Sequence, residues 1–339
     1  MPASRYLALG LTALLFPALA TAHHGFAAHY DGDRPVLIDG VVTDFKLVNP
    51  HAFVYVETTN EAGETETWWC EMQARSQLHI KGITQESIKP GDRIRIEGFA
   101  ARRDPRGCEF ATGYLADGKV LALRTSGAQS LFAAPALQDD SRSIEGTWFR
   151  KSFPGAGTDP DPEPLMTPAA LAAHAANDPV ITNPVYRCSP ISPVRAWSQP
   201  GLPTQIRRDG DRVIIHHEFM DTVRVVHLGL DQHPSDAPRS EMGHSIGRLE
   251  EDGTLVVETA KFSEGAVRAT FLHTEDFELV ERLAINPENG DLEVTWTATD
   301  PAYYDGPLEG SRILMRTSLP MGSYDCVPQA ADAHPLMGE

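Results

Sequence analysis

The sequence predicts a mainly β protein that contains two β-barrels. Segments that alternate apolar and polar residues, or that are rich in β-branched and aromatic residues, recur along the chain between turn signals. A stretch of small and polar residues at 125–145 separates these segments into two groups. We therefore predict one domain at 23–124 and a second at 146–326, joined by this linker and followed by a C-terminal tail at 327–339.

The first group predicts a small OB-like β-barrel. Strands are expected at 36–48, 51–59, 66–72, 92–100 and 119–125. The segment 73–88, between the third and fourth strands, is long enough for one short helix. Five strands with a helix after the third are typical of a Greek-key barrel of OB type.

The second group predicts an antiparallel, up-and-down, lipocalin-like β-barrel. Strands are expected at 146–150, 211–220, 222–230, 243–250, 254–262, 277–285, 291–300 and 312–319. Asp252-Gly253 and Asn289-Gly290 are hairpin turn signals. Thr167-Pro168 predicts the start of one helix. A barrel of about eight strands is wide enough to hold one small ligand.

Residues 1–22 predict a secretory signal and therefore a periplasmic or secreted protein. Arg5 supplies the positive charge, an apolar run ends near Leu19, and cleavage is expected after Ala22 or, alternatively, after Ala20. The apolar run is too short for a comfortable membrane span, so we expect no membrane insertion after cleavage.

The charge balance narrows the class of partner. The net charge is −18, whereas recognition of nucleic-acid phosphates requires clustered Lys and Arg. We therefore expect no nucleic-acid partner. No nucleotide-binding fingerprint is present, so no nucleotide cofactor is expected. We expect a small molecule or a metal ion as the partner.

The four cysteines predict two disulfides in an exported chain. Cys70, Cys108, Cys188 and Cys326 allow three pairings. Each half of the chain holds two of them, which favours 70–108 and 188–326.

The histidines near the predicted mature terminus are candidate metal ligands. If cleavage follows Ala22, the amine and ring nitrogen of His23 can chelate one ion. His24, His29 or His51 could then add a further imidazole. Nitrogen-rich ligation of this kind favours Cu(II), with Zn(II) and Ni(II) next. The alternative is a polar leader that binds nothing, and cleavage two residues earlier would remove the amine from the site.

A second set of candidates lies on the predicted second barrel. In the strand 211–220, alternation places His217 on the mostly apolar face with Ile215, towards the interior. His216 and Glu218 lie on the other face, where Glu218 is expected to meet solvent. His227 is a further candidate for the interior.

Other candidates for acid–base catalysis are His244, Glu258, His273, Glu275 and Tyr303. His273 and Glu275 are expected on one strand face. Histidine titrates near neutral pH, and a desolvated glutamate can act as an acid. This set predicts proton transfer of the isomerase, lyase or hydrolase type. Each residue also has a purely structural interpretation, and three such ligands could instead hold catalytic zinc. Arg224, Arg248 and Arg282 are expected to pair with carboxylates across strands.

Two stretches resemble known families. HHGFAAHYD, GVVTDFKLVNPHAFVYVE and GDRIRIEGFAARRD resemble a family of small exported bacterial domains of unknown function, over about 22–124. GTWF, RCSPISPVR, GHSIGRLEEDGTLVVET and TDPAYYDGP resemble a second exported, lipocalin-like family without an assigned role, over about 145–326. These resemblances imply location and fold and imply no activity.

Three functions follow as hypotheses. The protein binds, or also converts by His/Glu acid–base chemistry, a small and largely apolar molecule. Alternatively, it is a periplasmic copper protein that uses its N-terminal histidines. Finally, it is a structural or interaction module without a small ligand.

Overall fold

A computed structural model describes most of the chain. The described ranges are 26–60, 62–123, 136–137, 141–152, 155–268 and 271–329. Strands make up 46% and helices 12% of the described residues, so the mainly β prediction is confirmed. The predicted signal segment, His23 and His24 lie outside these ranges. No helix within them is long and apolar enough to cross a membrane.

The N-terminal unit is a sheet of six strands. Its elements are α1 Phe26–His29, β1 Tyr30–Lys46, β2 Phe53–Thr59, β3 Thr65–Glu71, α2 Arg75–Ile80, a 3-10 turn Gln85–Ser87, β4 Arg93–Ala101, β5 Gly107–Leu115 and β6 Val120–Ala122. The strand order is β3-β2-β1-β4-β5-β6, and a parallel β3–β5 pairing joins the two sides of the sheet. Its interior is a cluster of buried aliphatic and aromatic side chains from all six strands and α2.

The expected strand at 119–125 is the main correction to this unit. The long strand that pairs with both β4 and β3 is β5, whereas 119–125 contributes only the short β6. The segment GCEFATGYL alternates weakly because Gly107 and Gly113 replace side chains that would collide with neighbours. A Cβ at Gly107 would lie 2.4 Å from the ring of Trp69. The strand is therefore defined by partners distant in sequence rather than by local pattern.

The second unit contains a closed β-barrel of nine strands. Its strands are β7 Gly146–Arg150, β8 Gly157–Thr158, β9 Pro203–Asp209, β10 Arg212–His217, β11 Thr222–His227, β12 His244–Leu249, β13 Leu255–Ala260, β14 Gly265–Arg268, β15 Phe271–His273, β16 Glu278–Ile285, β17 Leu292–Thr299 and β18 Leu308–Arg316. The helices are α3 Pro168–Ala176 and α4 Pro193–Trp197, with 3-10 turns at Glu163–Leu165, Pro184–Arg187 and Phe219–Asp221. The barrel order is β7-β9-β10-β11-β12-β13-β16-β17-β18, closed by β18–β7, while β14 and β15 form a separate hairpin.

Most of the predicted elements of this unit are confirmed. Turns at Asp252-Gly253 and Asn289-Gly290 join β12 to β13 and β16 to β17, with both glycines at positive φ. The Thr167 side chain caps α3. One neighbouring pair departs from the up-and-down pattern, because β11 and β12 run parallel over two residue pairs. The long connection 228–243 returns the chain to the end of the barrel where β11 began.

Side chains fill much of the barrel. The core includes Trp148, Trp197 and aliphatic residues from most strands, among them Ile215, Val257 and Leu283. A packed centre of this kind leaves less room for a ligand than the sequence suggested.

Both expected disulfides are present. Cys70 pairs with Cys108 and joins β3 to β5, and Cys188 pairs with Cys326. The second bond anchors the C-terminal segment to the loop before α4. Disulfides of this kind indicate a protein outside the cytoplasm.

The C-terminal segment also connects the two units. Val327 N–H donates to Asn49 O at 2.8 Å, and Gln329 Nε2 donates to His51 O at 2.9 Å. The side chain of Arg75, in the first unit, donates to the carbonyl of Tyr324 at 3.0 Å. These contacts hold the first unit against the C-terminal segment of the second.

Candidate functional site

A cleft of about 410 Å³ lies where the two units meet. The N-terminal unit contributes Phe26, His29, Tyr30, Pro50, His51, Glu71, Met72, Gln73, Ala74, Gln77, Glu109, Phe110 and Leu123. The second unit contributes Asn183, Val185, Tyr186, Arg195, Gln199, Leu202, Phe219 and Tyr324. The volume is within the range of small-molecule sites, and the lining combines apolar walls with a few polar groups.

Glu71 is the centre of the polar part of this cleft. Its carboxylate accepts a short hydrogen bond from the Tyr30 hydroxyl. The other oxygen lies 3.1 Å from Nδ1 of His51, within ion-pair distance, although the N–H direction is not aligned for a hydrogen bond. Burial, together with the neighbouring Glu71 carboxylate, raises the pKa of Tyr30 well above its ordinary value, so this phenol stays protonated.

His29 and Tyr186 complete the cluster. The Tyr186 hydroxyl lies 3.2 Å from Nε2 of His29, and the Tyr186 ring is 5.6 Å from the ring of His51. Burial lowers the pKa of His29, and the Glu71 carboxylate partly opposes this effect. His29 is therefore mainly neutral at pH 7 and is available to accept a proton or a metal ion.

Local structure fixes these side chains at element ends. His29 closes α1 immediately before Tyr30 opens β1, and His29 O accepts a hydrogen bond from Arg102 N at 2.8 Å. His51 follows the cis Asn49–Pro50 peptide bond just before β2, and Glu71 is the last residue of β3. Tyr186 belongs to a 3-10 turn of the second unit, so the cluster needs both units.

Two of the four predicted metal ligands, His29 and His51, line this cleft. His23 and His24 lie outside the described residues. Within the described part of the chain, no group of three or more His, Cys, Asp or Glu side chains is arranged to hold a metal ion. The copper prediction stays a prediction.

His217 faces the barrel interior, as predicted. It is 1% exposed, its Nδ1 lies 2.9 Å from the Thr204 hydroxyl, and the Trp197 ring packs 4.7 Å away. Burial, aided by the positive charge of Arg224, lowers its pKa to about 3. His217 is therefore a neutral group in a closed interior at ordinary pH.

A buried ion pair lies beside His217. Arg224 and Glu281 form a short salt bridge, and the Trp197 indole donates to the second oxygen of Glu281 at 2.8 Å. Arg224 also donates to Ser245 at 2.9 Å. Charged groups at interior positions need such partners, and here they are supplied within the barrel. Arg248 pairs with Glu258 on the neighbouring strand, as predicted, whereas the carboxylate that pairs with Arg282 is Glu250, in the turn after β12.

The register of β10 and β11 corrects the position of His227. Because Ile215 pairs with Arg224, the face of β11 that enters the barrel carries Arg224 and Val226, and His227 lies outside. Its ring stacks on that of His244 at 5.1 Å. Glu218 was also expected in solvent but is 8% exposed, because its carboxylate accepts the Gly322 N–H at 2.8 Å.

The other predicted acid–base residues are dispersed. His244 lies on the outer surface, 2.9 Å from His233, and the nearby Glu258 is exposed and pairs with Arg248. Burial lowers the pKa of His244, with His233 and His227 adding to this effect.

His273 and Glu275 do not share a strand face, because β15 ends at His273. Asp300 accepts the Thr274 N–H at 2.6 Å and turns the chain there, leaving Glu275 exposed against Arg239. His273 is 2% exposed and stacks on an aromatic ring, and Tyr303 is only partly buried. The six predicted catalytic residues thus occupy separate places, and their catalytic roles stay predictions.

Residues 13–109 match the model of a family of unknown function (DUF6152). This match covers a minority of the chain and ends within β5, before the nine-strand barrel. The curated proteins contain no match to the chain. The match supports an N-terminal domain family without an assigned role and implies no activity.

Sequence reasoning missed the residues that build the cleft with His29 and His51. Glu71 was expected only as part of a strand, and Tyr186 and Arg195 lie in a proline-rich segment without periodicity. One signal was available, since Cys188–Cys326 places residues near 186 beside the C-terminal segment. That segment contacts Asn49 next to His51.

Proposed function

We propose that this is an exported protein that binds a small, largely apolar molecule in the cleft between its two β units. The observation that supports this proposal is the cleft itself, in which apolar walls from both units flank the Glu71 cluster. Sites of this size with a few convergent polar groups are typical small-molecule sites. The predicted signal segment and the two disulfides support export.

The same cluster supports acid–base chemistry on the bound molecule. Glu71 lies against Nδ1 of His51, which leaves Nε2 as the ring nitrogen available to a ligand. A carboxylate behind an imidazole holds the ring in one orientation. His51 would act as the base and the neutral Tyr30 phenol as a hydrogen-bond donor, in a reaction of the isomerase, lyase or hydrolase type.

Within this proposal the N-terminal unit is an OB-type barrel and the second unit is related to lipocalins. Support for the first is the ring β1-β2-β3-β5-β4 with α2 between β3 and β4. Support for the second is the run of hairpins around the nine-strand barrel. The ligand site differs from the interior site of a lipocalin because side chains fill the barrel centre.

The proposal is tested with the neutral fluorophore N-phenyl-1-naphthylamine and the processed protein. Gln199 lines the cleft and is partly exposed, so Gln199→Trp fills the cleft without removing a core residue. Gln232→Trp, at an exposed loop position, is the matched control. We expect saturable fluorescence enhancement with the wild type and the control, and at least about tenfold weaker binding by Gln199→Trp. Absence of saturable binding to the wild type, or equal binding by both variants, contradicts the proposal.

A second candidate function is copper binding, and the observation that favours it is the position of His29 and His51 on one cleft. Glu71 beside Nδ1 of His51 is the kind of partner that orients metal-ligating histidines. We expect the processed protein to bind one Cu(II) with nitrogen hyperfine structure in its electron paramagnetic resonance spectrum. An extra residue before His23, or His51→Asn, should abolish this signal. Protein without bound metal at micromolar copper would exclude this function.

A further inference from the structure

The guanidinium of Arg195 faces the cleft without a partner. Arg195 lies on α4, and its hydrogen bonds to other described residues use only its backbone: its N–H donates to the Ser192 hydroxyl, and its carbonyl accepts the Ser198 N–H. No ion pair joins its side chain to a carboxylate of the described chain. By contrast, Arg224 and Arg312, two arginines of this unit that are 3% and 2% exposed, each form a salt bridge.

Arg195 is charged at neutral pH and is free to bind an anionic group. Burial is the main cause that lowers its pKa, to about 10, so the group remains positive at neutral pH. The groups that act on it electrostatically are the phenols of Tyr186 and Tyr324 and the cation of Arg268, with no carboxylate among them. Arg195 is half-buried, and a partly desolvated cation with no carboxylate partner is available to an anionic ligand.

We propose that the cleft recognises a small organic monocarboxylate and that Arg195 binds its carboxylate group. This inference rests on the proposed function and adds the substrate class. The planar guanidinium fits one carboxylate through two parallel N–H···O bonds. A phosphate dianion is disfavoured, because Glu71 and Glu109 line the same cleft and Arg195 is its only arginine or lysine among the described residues.

The position of Arg195 also orients the ligand. Val185, Leu202 and Phe219 form an apolar wall beside it, in a buried cluster of the second unit. A carboxylate on Arg195 leaves the apolar body of the ligand between this wall and the Glu71 cluster of the first unit. The end of the ligand away from the carboxylate then faces His51.

The test compares phenylacetate with phenylacetamide, a neutral molecule of nearly the same shape, as competitors for bound N-phenyl-1-naphthylamine. We expect phenylacetate to compete about 10- to 100-fold more strongly with the wild type, because hydrogen bonds to a charged group are the strong ones. In Arg195→Met the ratio of the two competition constants, each measured against that variant's own affinity for N-phenyl-1-naphthylamine, should fall to about one. Arg195→Lys should retain part of the preference. Arg187→Met, at an exposed position in the preceding turn, is the control and should retain all of it.

The outcomes separate this inference from the proposed function. Equal competition by both molecules with the wild type, or a carboxylate preference that survives in Arg195→Met, overturns the role of Arg195 and leaves the cleft as a ligand site. Loss of N-phenyl-1-naphthylamine binding by the wild type overturns both proposals. Because the wild-type comparison needs no variant, the inference stays testable even if Arg195→Met does not fold.

Discussion

Acid should destabilise this protein through His217, and the effect can be calculated. The imidazole is enclosed in the barrel, and its folded pKa of about 3 lies far below the ordinary value of 6.5 that applies after unfolding. The contribution that neutral His217 makes to the free energy of unfolding is fully present above pH 6.5. It is lost as the pH falls towards 3, because only the unfolded chain then binds the proton.

The size of this effect at pH 5 depends almost entirely on the unfolded pKa. Between pH 8 and pH 5 the unfolded imidazole becomes protonated, because its pKa of 6.5 lies about 1.5 units above pH 5. The folded imidazole stays neutral over this range. At about 1.36 kcal/mol per unit, His217 alone should lower the free energy of unfolding by about 2 kcal/mol. Asparagine cannot titrate, so His217→Asn should lack this contribution.

Urea unfolding of the wild type and of His217→Asn from pH 8 to pH 5 measures the difference directly. The gap between the two free energies should narrow by about 2 kcal/mol over this range, because contributions of the other histidines cancel. His216→Asn makes the same substitution on the outer face of the same strand and leaves His217 in place, so it is the matched control. Parallel curves for the wild type and His217→Asn would refute the reasoning, since the imidazole would then titrate alike in both states.

Three further predictions concern what holds the fold together. Arg224→Met should lower the free energy of unfolding by about 3–5 kcal/mol, because it leaves the buried Glu281 carboxylate unpaired. Adding Glu281→Leu should restore much of this loss. A loss under about 1 kcal/mol for Arg224→Met in urea unfolding would contradict this prediction. Arg248→Gln, in an exposed pair, should cost under about 1 kcal/mol in the same assay. Replacing Cys188 and Cys326 with alanine should cost about 2–5 kcal/mol, and an unchanged thermal midpoint would be inconsistent with that bond stabilising the second unit.

Much of the fold is predictable because its signals are local. The hairpins at Asp252-Gly253 and Asn289-Gly290 can be predicted from the turn residues alone, because these stand between two strands in which apolar and polar residues alternate. The strand β5 is the counterexample, because its glycines are required by close neighbours such as Trp69 and weaken its own pattern. Alternation also cannot tell which face of β11 enters the barrel, and pairing with β10 decides this for Arg224 and His227.

The candidate site is less predictable because it depends on contacts between distant segments. His29 and His51 could be selected by residue type and position. Tyr186 and Arg195 reach them only because the disulfide and the C-terminal segment bring the second unit against the first. No local pattern in a proline-rich segment indicates such a contact.

The central claim is that ligands bind between the two units and not inside the nine-strand barrel. A crystal structure of the processed protein grown with phenylacetate tests it most directly. We predict density for the carboxylate at Arg195 and for the ring beside Phe219 and Leu202. Phenylacetate inside the barrel next to His217, with the cleft empty at saturating concentration, would contradict the claim.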